Sequence, residues 1–194
     1  TLQRTENELD IPTTLHADAA GGMWVGTQRG VVHLNAAGAQ PLPSVPGLPA
    51  ERINALLLDR TGSLWVGTGR GLFRLTKGGR TFAAFSIARK PGAPEPTILA
   101  LAQDAAGRIW ACGSQAGAYV IDANGRVATP LAGVQAIGGA EADLVNSLVE
   151  ARPGEMWRGL SHRGMLRLEI DRGRHRLEQR DARRRMSLPG NELR

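Results

Sequence analysis

Residues 62–75 read Gly-Ser-Leu-Trp-Val-Gly-Thr-Gly-Arg-Gly-Leu-Phe-Arg-Leu, and this stretch decides the fold because it recurs along the chain. Three altered copies of it stand at 21–34 (GGMWVGTQRGVVHL), 107–121 (GRIWACGSQAGAYVI) and 154–168 (GEMWRGLSHRGMLRL). The four tryptophans of the chain lie 41, 45 and 47 residues apart and take the same place in each copy: Trp24, Trp65, Trp110 and Trp157. A repeat of this length predicts one supersecondary unit stacked several times.

Each copy carries the signals of four short strands. An Asp six residues before the Trp and a Gly three residues before it mark a tight turn, because Asp bonds to its own backbone and Gly accepts a positive φ. The Asp recurs as Asp18, Asp59 and Asp104, and the fourth copy has Ala151 instead. An apolar run such as 53–58 precedes the turn, and further strands follow around the Trp, at 71–75 and at 81–86. Four antiparallel strands in roughly 40–50 residues are typical of the blade of a β-propeller.

The chain is therefore predicted to be an all-β β-propeller, with about four four-stranded antiparallel blades of a larger, incomplete ring. The blades are expected at about 10–40, 48–90, 97–135 and 144–182, within one partial propeller domain that spans 1–194. Residues 187–194 align with 47–54 and are expected to start a further blade. The tryptophans are expected to pack between neighbouring blades. An open arc of blades leaves apolar faces exposed, so we also expect self-association.

The composition bounds the class of protein. Of the 194 residues 42% are apolar, enough for a sizeable core, and the net charge of +6 comes almost wholly from arginine. The sole cysteine, Cys112, can form no internal disulfide, and it is expected to pack as a small apolar residue on an inner strand. The sequence contains no membrane-spanning apolar run and opens on a polar stretch rather than a signal peptide, so any export signal or anchor is expected outside it.

Copy two reads Leu48-Pro-x-x-x-Ile-Asn-x-Leu-x-x-Asp-x-x-Gly-x-Leu-Trp-Val-Gly-Thr-x-x-Gly-Leu-x-Arg74. This pattern resembles the two-component regulator propeller repeat, and the resemblance extends over nearly the whole chain. It implies a seven-bladed propeller in the periplasmic sensor region of a membrane-bound bacterial regulator. The output domain implied is a histidine kinase, a hybrid two-component protein or a diguanylate cyclase. Because several such sensors are associated with carbohydrates, the resemblance also implies a carbohydrate as one class of ligand.

A binding site is expected on the face where the turn between the second and third strands meets the connection between blades. That turn reads Thr27-Gln-Arg-Gly30, Thr68-Gly-Arg-Gly71, Ser114-Gln-Ala-Gly117 and Ser161-His-Arg-Gly164. Its recurring Arg could present planar donors to an anionic or polyhydroxylated ligand. The alternative is that Arg only tolerates an exposed turn and forms salt bridges to a neighbouring blade. The candidate ligand-binding residues are Arg29, Arg70, Gln115, Glu141, Asp143, His162 and Arg163.

Two of these candidates are carboxylates in the connection before copy four. Glu141 and Asp143 could accept sugar hydroxyls or bind Ca²⁺, but a calcium site needs more oxygen ligands than this stretch offers. A solvated loop is the alternative. The four histidines stand at no recognisable metal-ligand or triad spacing, so the sequence predicts no metal, no cofactor and no catalytic residue.

The leading hypothesis is a non-catalytic, periplasmic sensor module that binds a small ligand. One alternative is a propeller-type lyase or glycoside hydrolase, which would need an acid–base pair from Glu141, Asp143 and His162. Another is a scaffold that binds other proteins. No nucleic-acid partner is expected, since the arginine-rich stretch 172–185 is interrupted by acidic residues and has no interleaved aromatics. Contact with a membrane is expected only through segments outside the chain.

Overall fold

The computed structural model describes residues 11–35, 38–40, 46–87, 95–113, 118–125, 128–130, 145–160, 164–171 and 174–180. These residues form sixteen strands in four antiparallel sheets, and no helix occurs among them. Accordingly, this part of the chain holds no helix that could cross a membrane. Within each sheet the four strands lie side by side in chain order. The predicted all-β meander of four-stranded units is confirmed.

We name the four sheets blades 1 to 4, in chain order. Blade 1 consists of β1 (Pro12–Ala17), β2 (Met23–Thr27), β3 (Val31–Asn35) and β4 (Gly38–Gln40). Blade 2 consists of β5 (Ile53–Leu58), β6 (Leu64–Thr68), β7 (Gly71–Leu75) and β8 (Ala83–Phe85). Blade 3 consists of β9 (Ile98–Gln103), β10 (Ile109–Gly113), β11 (Ala118–Ile121) and β12 (Ala128–Pro130). Blade 4 consists of β13 (Val145–Arg152), β14 (Glu155–Leu160), β15 (Gly164–Asp171) and β16 (Arg174–Arg180).

These sheets lie inside the wider limits predicted for the blades, and those limits stay predictions as domain boundaries. Residues 187–194, the predicted start of a further blade, lie outside the described residues.

A tight turn joins the first two strands of each blade. The glycine three residues before each Trp has a φ of 81° or 82° in all four blades, a conformation that side chains other than glycine rarely adopt. In blade 2, Asp59 Oδ1 accepts hydrogen bonds from the backbone N–H groups of Thr61 and Ser63, both at 2.9 Å. It also accepts the Thr61 hydroxyl at 2.6 Å. The turn predicted from the Asp and Gly spacing is therefore confirmed.

The tryptophans lie between neighbouring blades. The blades pack with their first strands nearest to one another. Trp65 is fully buried in a cluster that joins blade 2 to Ile98 of blade 3. Trp110 is fully buried in a cluster that joins blade 3 to Met156 of blade 4. Trp24 is half-buried against the cluster that joins blades 1 and 2. The predicted packing role is therefore confirmed for these three indoles.

In three blades the indole N–H donates to a carboxylate. The bonds run from Trp65 to Asp59 at 2.8 Å, from Trp110 to Asp104 at 2.9 Å and from Trp157 to Glu155 at 2.7 Å. Glu155 thus replaces the Asp that the fourth copy lacks at Ala151. The hydrogen bond from Trp157 is the main cause that holds the pKa of Glu155 below its ordinary value.

A basic side chain lies over each indole, but it comes from different strands. The guanidinium carbon lies 4.9 Å from the ring centre for Arg74 over Trp65, 5.9 Å for Arg108 over Trp110 and 6.0 Å for Arg167 over Trp157. These distances lie within the range of cation–π attraction. The copies align Arg74 with Arg167, whereas blade 3 has Val120 at that place and uses Arg108, which immediately precedes β10.

Blade 1 uses a histidine at the corresponding position. The His33 ring centre lies 4.3 Å from that of Trp24, and His33 Nε2 lies 2.6 Å from Asp18 Oδ2. The hydrogen bond with His33 is the main cause that lowers the pKa of Asp18. A carboxylate, a basic group and an indole therefore meet in every blade, although the sequence positions that supply them vary.

Hydrogen bonds from the turn of one blade to the first strand of the next blade join consecutive blades. The N–H of Arg60 donates to Gln103 Oε1 at 2.9 Å, and the N–H of Ala105 donates to Glu150 Oε2 at 2.6 Å. The two donors occupy equivalent positions of the repeat, and so do the two acceptors. These contacts fix the orientation of one blade relative to the next.

Candidate functional site

The turn between the second and third strands is built by the threonine and the glycine of the recurring motif. In blade 2 the Thr68 hydroxyl donates to the Gly71 carbonyl at 3.2 Å and accepts the N–H of Arg70 at 3.0 Å. Thr27 makes the equivalent two bonds in blade 1, both at 3.1 Å. Gly71 has a φ of 120°, a conformation that favours glycine. The structure of the turn therefore explains why Thr and Gly recur in the motif. It does not explain why Arg recurs there.

The blade 2 turn lies against the connections on both of its sides. The Thr97 hydroxyl, just before β9, donates to the Gly69 carbonyl at 3.2 Å. Glu51, just before β5, places its Oε2 3.5 Å from Arg70 Nε. In blade 2 the turn and the connections therefore share one face, as the sequence predicts.

Glu51 and Arg70 form a loose ion pair with unused hydrogen-bonding capacity. The Arg70 side chain is 77% exposed and that of Glu51 is 22% exposed, so the attraction between them adds little stability. Glu51 Oε1 is buried and has no hydrogen-bond partner among the described residues. Because the Glu51 side chain is 22% exposed, the exposed part of its carboxylate can accept a hydroxyl from a bound molecule while the arginine donates to another.

The repeat register extends this pair to other blades. An acid two residues before the first strand accompanies an arginine just before the glycine of the turn. The pairs are Asp10 with Arg29, Glu51 with Arg70, and Asp143 with Arg163, whereas the third copy has Pro96 and Ala116. Both charges are thus present together or absent together. Asp10, Asp143 and Arg163 lie outside the described residues, so only the blade 2 pair is seen.

Of the residues predicted for the site, the structure describes two. Arg29 and Arg70 are exposed at equivalent turns of blades 1 and 2. The remaining candidates lie outside the described residues, and their convergence stays a prediction: Gln115, Glu141, Asp143, His162 and Arg163.

Glu51 was not among the residues predicted for the site. The signal that identifies it is its repeat equivalence to Asp143, which was predicted. Glu51 and Asp143 each stand 14 residues before the tryptophan of their copy, so alignment on the tryptophans already places them at the same position of the repeat.

Cys112 is buried on an inner strand, as predicted. It lies on β10, the second strand of blade 3, between β9 and β11. Burial raises the pKa of the Cys112 thiol to about 11, and the positive charge of nearby Arg158 offsets only part of this. The thiol is therefore protonated at neutral pH and is a poor nucleophile.

We expect Cys112 to resist alkylation in the folded protein. At pH 8 a thiol of pKa about 11 is roughly 0.1% thiolate, against about a quarter for an unfolded cysteine, so iodoacetamide should react at least about 100-fold more slowly with the native chain. Mass spectrometry of timed samples with and without denaturant measures the ratio. Similar rates in both conditions would contradict the buried position.

No group of three or more His, Cys, Asp or Glu side chains that could hold a metal ion occurs in the described segments.

Residues 47–70 match the family model described as "Two component regulator propeller". The matched segment lies in copy two, on which the resemblance was based, and the predicted resemblance is confirmed there. No curated protein matches the chain.

Solved structures show the same fold at low sequence identity. The extracellular domain of the one component system BT4673 from B. thetaiotaomicron superimposes with a TM-score of 0.71 and 18% identity, over 90% of this chain and 25% of that chain. The extracellular domain of the hybrid two component system BT3049 from the same organism superimposes with a TM-score of 0.67 and 17% identity, over 87% of this chain and 24% of that chain. The Pan2 WD40 domain of Neurospora crassa superimposes with a TM-score of 0.62 and 13% identity, over 92% of this chain and 53% of that chain.

These likenesses establish the fold, since WD40 domains are β-propellers. The chain spans about a quarter of the two extracellular domains. An arc of four blades agrees with the predicted incomplete ring, and the number of blades in a complete ring stays a prediction.

Proposed function

We propose that the chain is a non-catalytic, ligand-binding sensor module of a membrane-bound bacterial signal-transduction regulator. A histidine kinase or diguanylate cyclase, supplied by another part of the regulator, would carry the output. Two findings support the proposal: the match of 47–70 to the regulator propeller repeat, and the likeness to extracellular domains of one- and two-component systems. An extracellular neighbour also supports a periplasmic location, which we include in the proposal.

The paired charges of the blade 2 turn carry the proposal for the ligand. The Arg70 guanidinium and the Glu51 carboxylate lie side by side on the face where turn and connection meet. An anion would be attracted by the arginine but repelled by its acid. A polyhydroxylated ligand uses both, because each hydroxyl both donates and accepts. We therefore propose a neutral carbohydrate as the ligand class and assign Arg29 and Arg70 to its contact surface.

The same pair disfavours catalysis at this place. General acid–base chemistry needs two groups that exchange protons near neutral pH, whereas arginine keeps its proton in proteins. A lyase or glycoside hydrolase would have to use Glu141, Asp143 and His162, which lie outside the described residues. A protein-binding scaffold is the other alternative, and the same face would then contact a polypeptide.

We expect neutral oligosaccharides, rather than anionic ones, to bind the purified chain. Isothermal titration calorimetry with mannan- and xylan-derived oligosaccharides, and with polygalacturonate fragments as the anionic counterpart, tests this choice. Arg70→Ala should weaken binding of the neutral sugar by about 10- to 100-fold, the loss expected for a hydrogen bond to a charged group.

Arg80→Ala is the matched control, since Arg80 is exposed in the turn between β7 and β8, at the opposite end of the strands. An equal loss from Arg80→Ala, or preferential binding of polygalacturonate, would contradict the assignment. Hydrolysis or elimination of a bound sugar would favour the enzyme alternative. A chain that binds none of these sugars would remove the support for a carbohydrate sensor.

A further inference from the structure

Three glycines lie close together where β6 of blade 2 runs into its turn, and the fold requires two of them. A Cβ built on Gly67 would lie 2.7 Å from Ile98 Cγ2, so the packing of the next blade leaves no room for a side chain there. Gly71 has a φ of 120°, a conformation that other residues rarely adopt. The third glycine, Gly69, has neither reason.

Neither the backbone nor the packing requires a glycine at position 69. The φ of Gly69 does not lie in the left-handed region that favours glycine. A Cβ built there would meet only Glu51 Oε2, at 3.7 Å, which is an ordinary van der Waals contact. Glycine loses more conformational freedom on folding than any other residue, so it destabilises a chain wherever its freedom is not needed. Gly69 therefore has a cost for which the fold offers no reason.

The other three copies of the repeat carry a polar side chain at the position of Gly69. These residues are Gln28, Gln115 and His162, and the structure describes the first of them. Gln28 is exposed on the blade 1 turn, in which Thr27 makes the same two hydrogen bonds as Thr68 makes in blade 2. A glutamine is thus compatible with this turn, and the glycine of blade 2 is a difference that the turn does not impose.

The missing side chain leaves an open space beside the charged pair of the candidate site. Glu51 Oε2 borders this space and lies 3.5 Å from Arg70 Nε. Below the space, the Thr97 hydroxyl donates to the Gly69 carbonyl and holds the backbone of the turn against the connection to blade 3. Gly69 itself is exposed. A molecule from solvent can therefore approach Glu51 and Arg70 across Gly69 without meeting a side chain of that residue.

We propose that Gly69 determines where the ligand binds, because its missing side chain leaves room for one sugar unit on the blade 2 turn. The hydroxyls of that unit bond to the Glu51 carboxylate and the Arg70 guanidinium. This inference rests on the proposed carbohydrate-binding function and adds the feature that keeps the subsite open. A glutamine at position 69 would fill the space, and its amide could donate to Glu51 in place of the ligand.

Gly69→Gln tests the inference with two measurements on the purified chain. In isothermal titration calorimetry with mannotetraose and with xylotetraose, the dissociation constant of the sugar that the wild type binds should rise about 10-fold or more, as expected when a hydrogen bond to a charged group is lost. The urea midpoint of unfolding should stay the same or rise, because replacing an unneeded glycine restricts the unfolded chain. A glycine that serves the fold would instead give a lower midpoint.

Two further variants calibrate the effect. Gly69→Ala adds a single methyl group at the edge of the space and should weaken binding less than Gly69→Gln does. Ala84→Gln adds the same glutamine side chain on the exposed outer strand β8 of the same blade, and it should change neither the dissociation constant nor the urea midpoint.

The outcomes separate this inference from the function on which it rests. A wild type that binds one of the sugars, with Gly69→Gln binding it equally well, overturns the role of Gly69 and leaves the carbohydrate sensor standing. A loss of binding that comes with a lower urea midpoint also overturns it, because the glycine then serves the turn. A wild type that binds neither sugar removes both proposals.

Discussion

Gly67→Ala should lower the free energy of unfolding by about 2–3 kcal/mol, the cost expected for overpacking at a close contact. A Cβ on Gly67 would lie 2.7 Å from Ile98 Cγ2 and 3.2 Å from the Ile98 carbonyl oxygen, which belongs to the backbone of the next blade. Ile98 is fully buried, so it has no room to retreat. The added methyl group therefore pushes blades 2 and 3 apart. Chemical denaturation followed by tryptophan fluorescence measures the loss, because Trp65 lies in the same interface.

Gly69→Ala is the matched control, two residues along the chain. A Cβ there would meet only Glu51 Oε2, at 3.7 Å, so we expect a change within about 0.5 kcal/mol. The double variant Gly67→Ala with Ile98→Ala should lose less stability than the two single changes together, because the second change removes the clashing methyl group. Additive losses would mean that the glycine serves a different purpose from admitting Ile98.

The repeat made the blade and the position of the tryptophans predictable. The recurrence of tryptophan alone was enough to align the copies, because each Trp stands at a fixed place relative to the turn and the strand of its own blade. The partners of the indoles were predictable only where they are local: Asp59 precedes Trp65 by six residues in the predicted turn. Glu155 was not predicted as the hydrogen-bond partner of Trp157, although it replaces the missing acid of copy four. An acid at a different sequence position can place its carboxylate at the same point in space, and the repeat pattern does not reveal this.

Contacts between blades were harder to predict. The hydrogen bond from Arg60 to Gln103 spans 43 residues, and nothing in either residue type marks it. Glu51 is marked by its repeat equivalence to Asp143, but its proximity to Arg70 depends on how the connection returns to the turn. The sequence thus predicts which face carries the candidate site, whereas the contact between the charges on that face is seen only in the three-dimensional structure.

Asp59→Asn should destabilise the chain by about 2–4 kcal/mol at pH 7, the cost of disrupting several hydrogen bonds to one buried charged group. Asp59 Oδ1 accepts three bonds from Thr61 and Ser63, and Oδ2 accepts the Trp65 indole N–H. An asparagine has one acceptor oxygen, so its amide N–H₂ would face a donor. The matched control is Asp122→Asn, whose carboxylate accepts the N–H of Asn124 in an exposed turn, and we expect a loss below about 1 kcal/mol there.

The pH dependence of the Asp59 variant separates the charge from the shape of the side chain. Burial alone would raise the pKa of Asp59, but the hydrogen bonds from Thr61, Trp65 and Ser63 outweigh it and hold the pKa below its ordinary value of 3.8. A carboxyl with a depressed pKa in the folded state contributes stability above its unfolded pKa and loses it as pH falls through the folded value. The stability difference between wild type and Asp59→Asn should therefore be constant from pH 7 to about 5 and shrink below about pH 4. Urea titrations between pH 7 and 3 measure this difference, and a difference that stays constant down to pH 3 would mean that the amide fails for its shape and not for its lost charge.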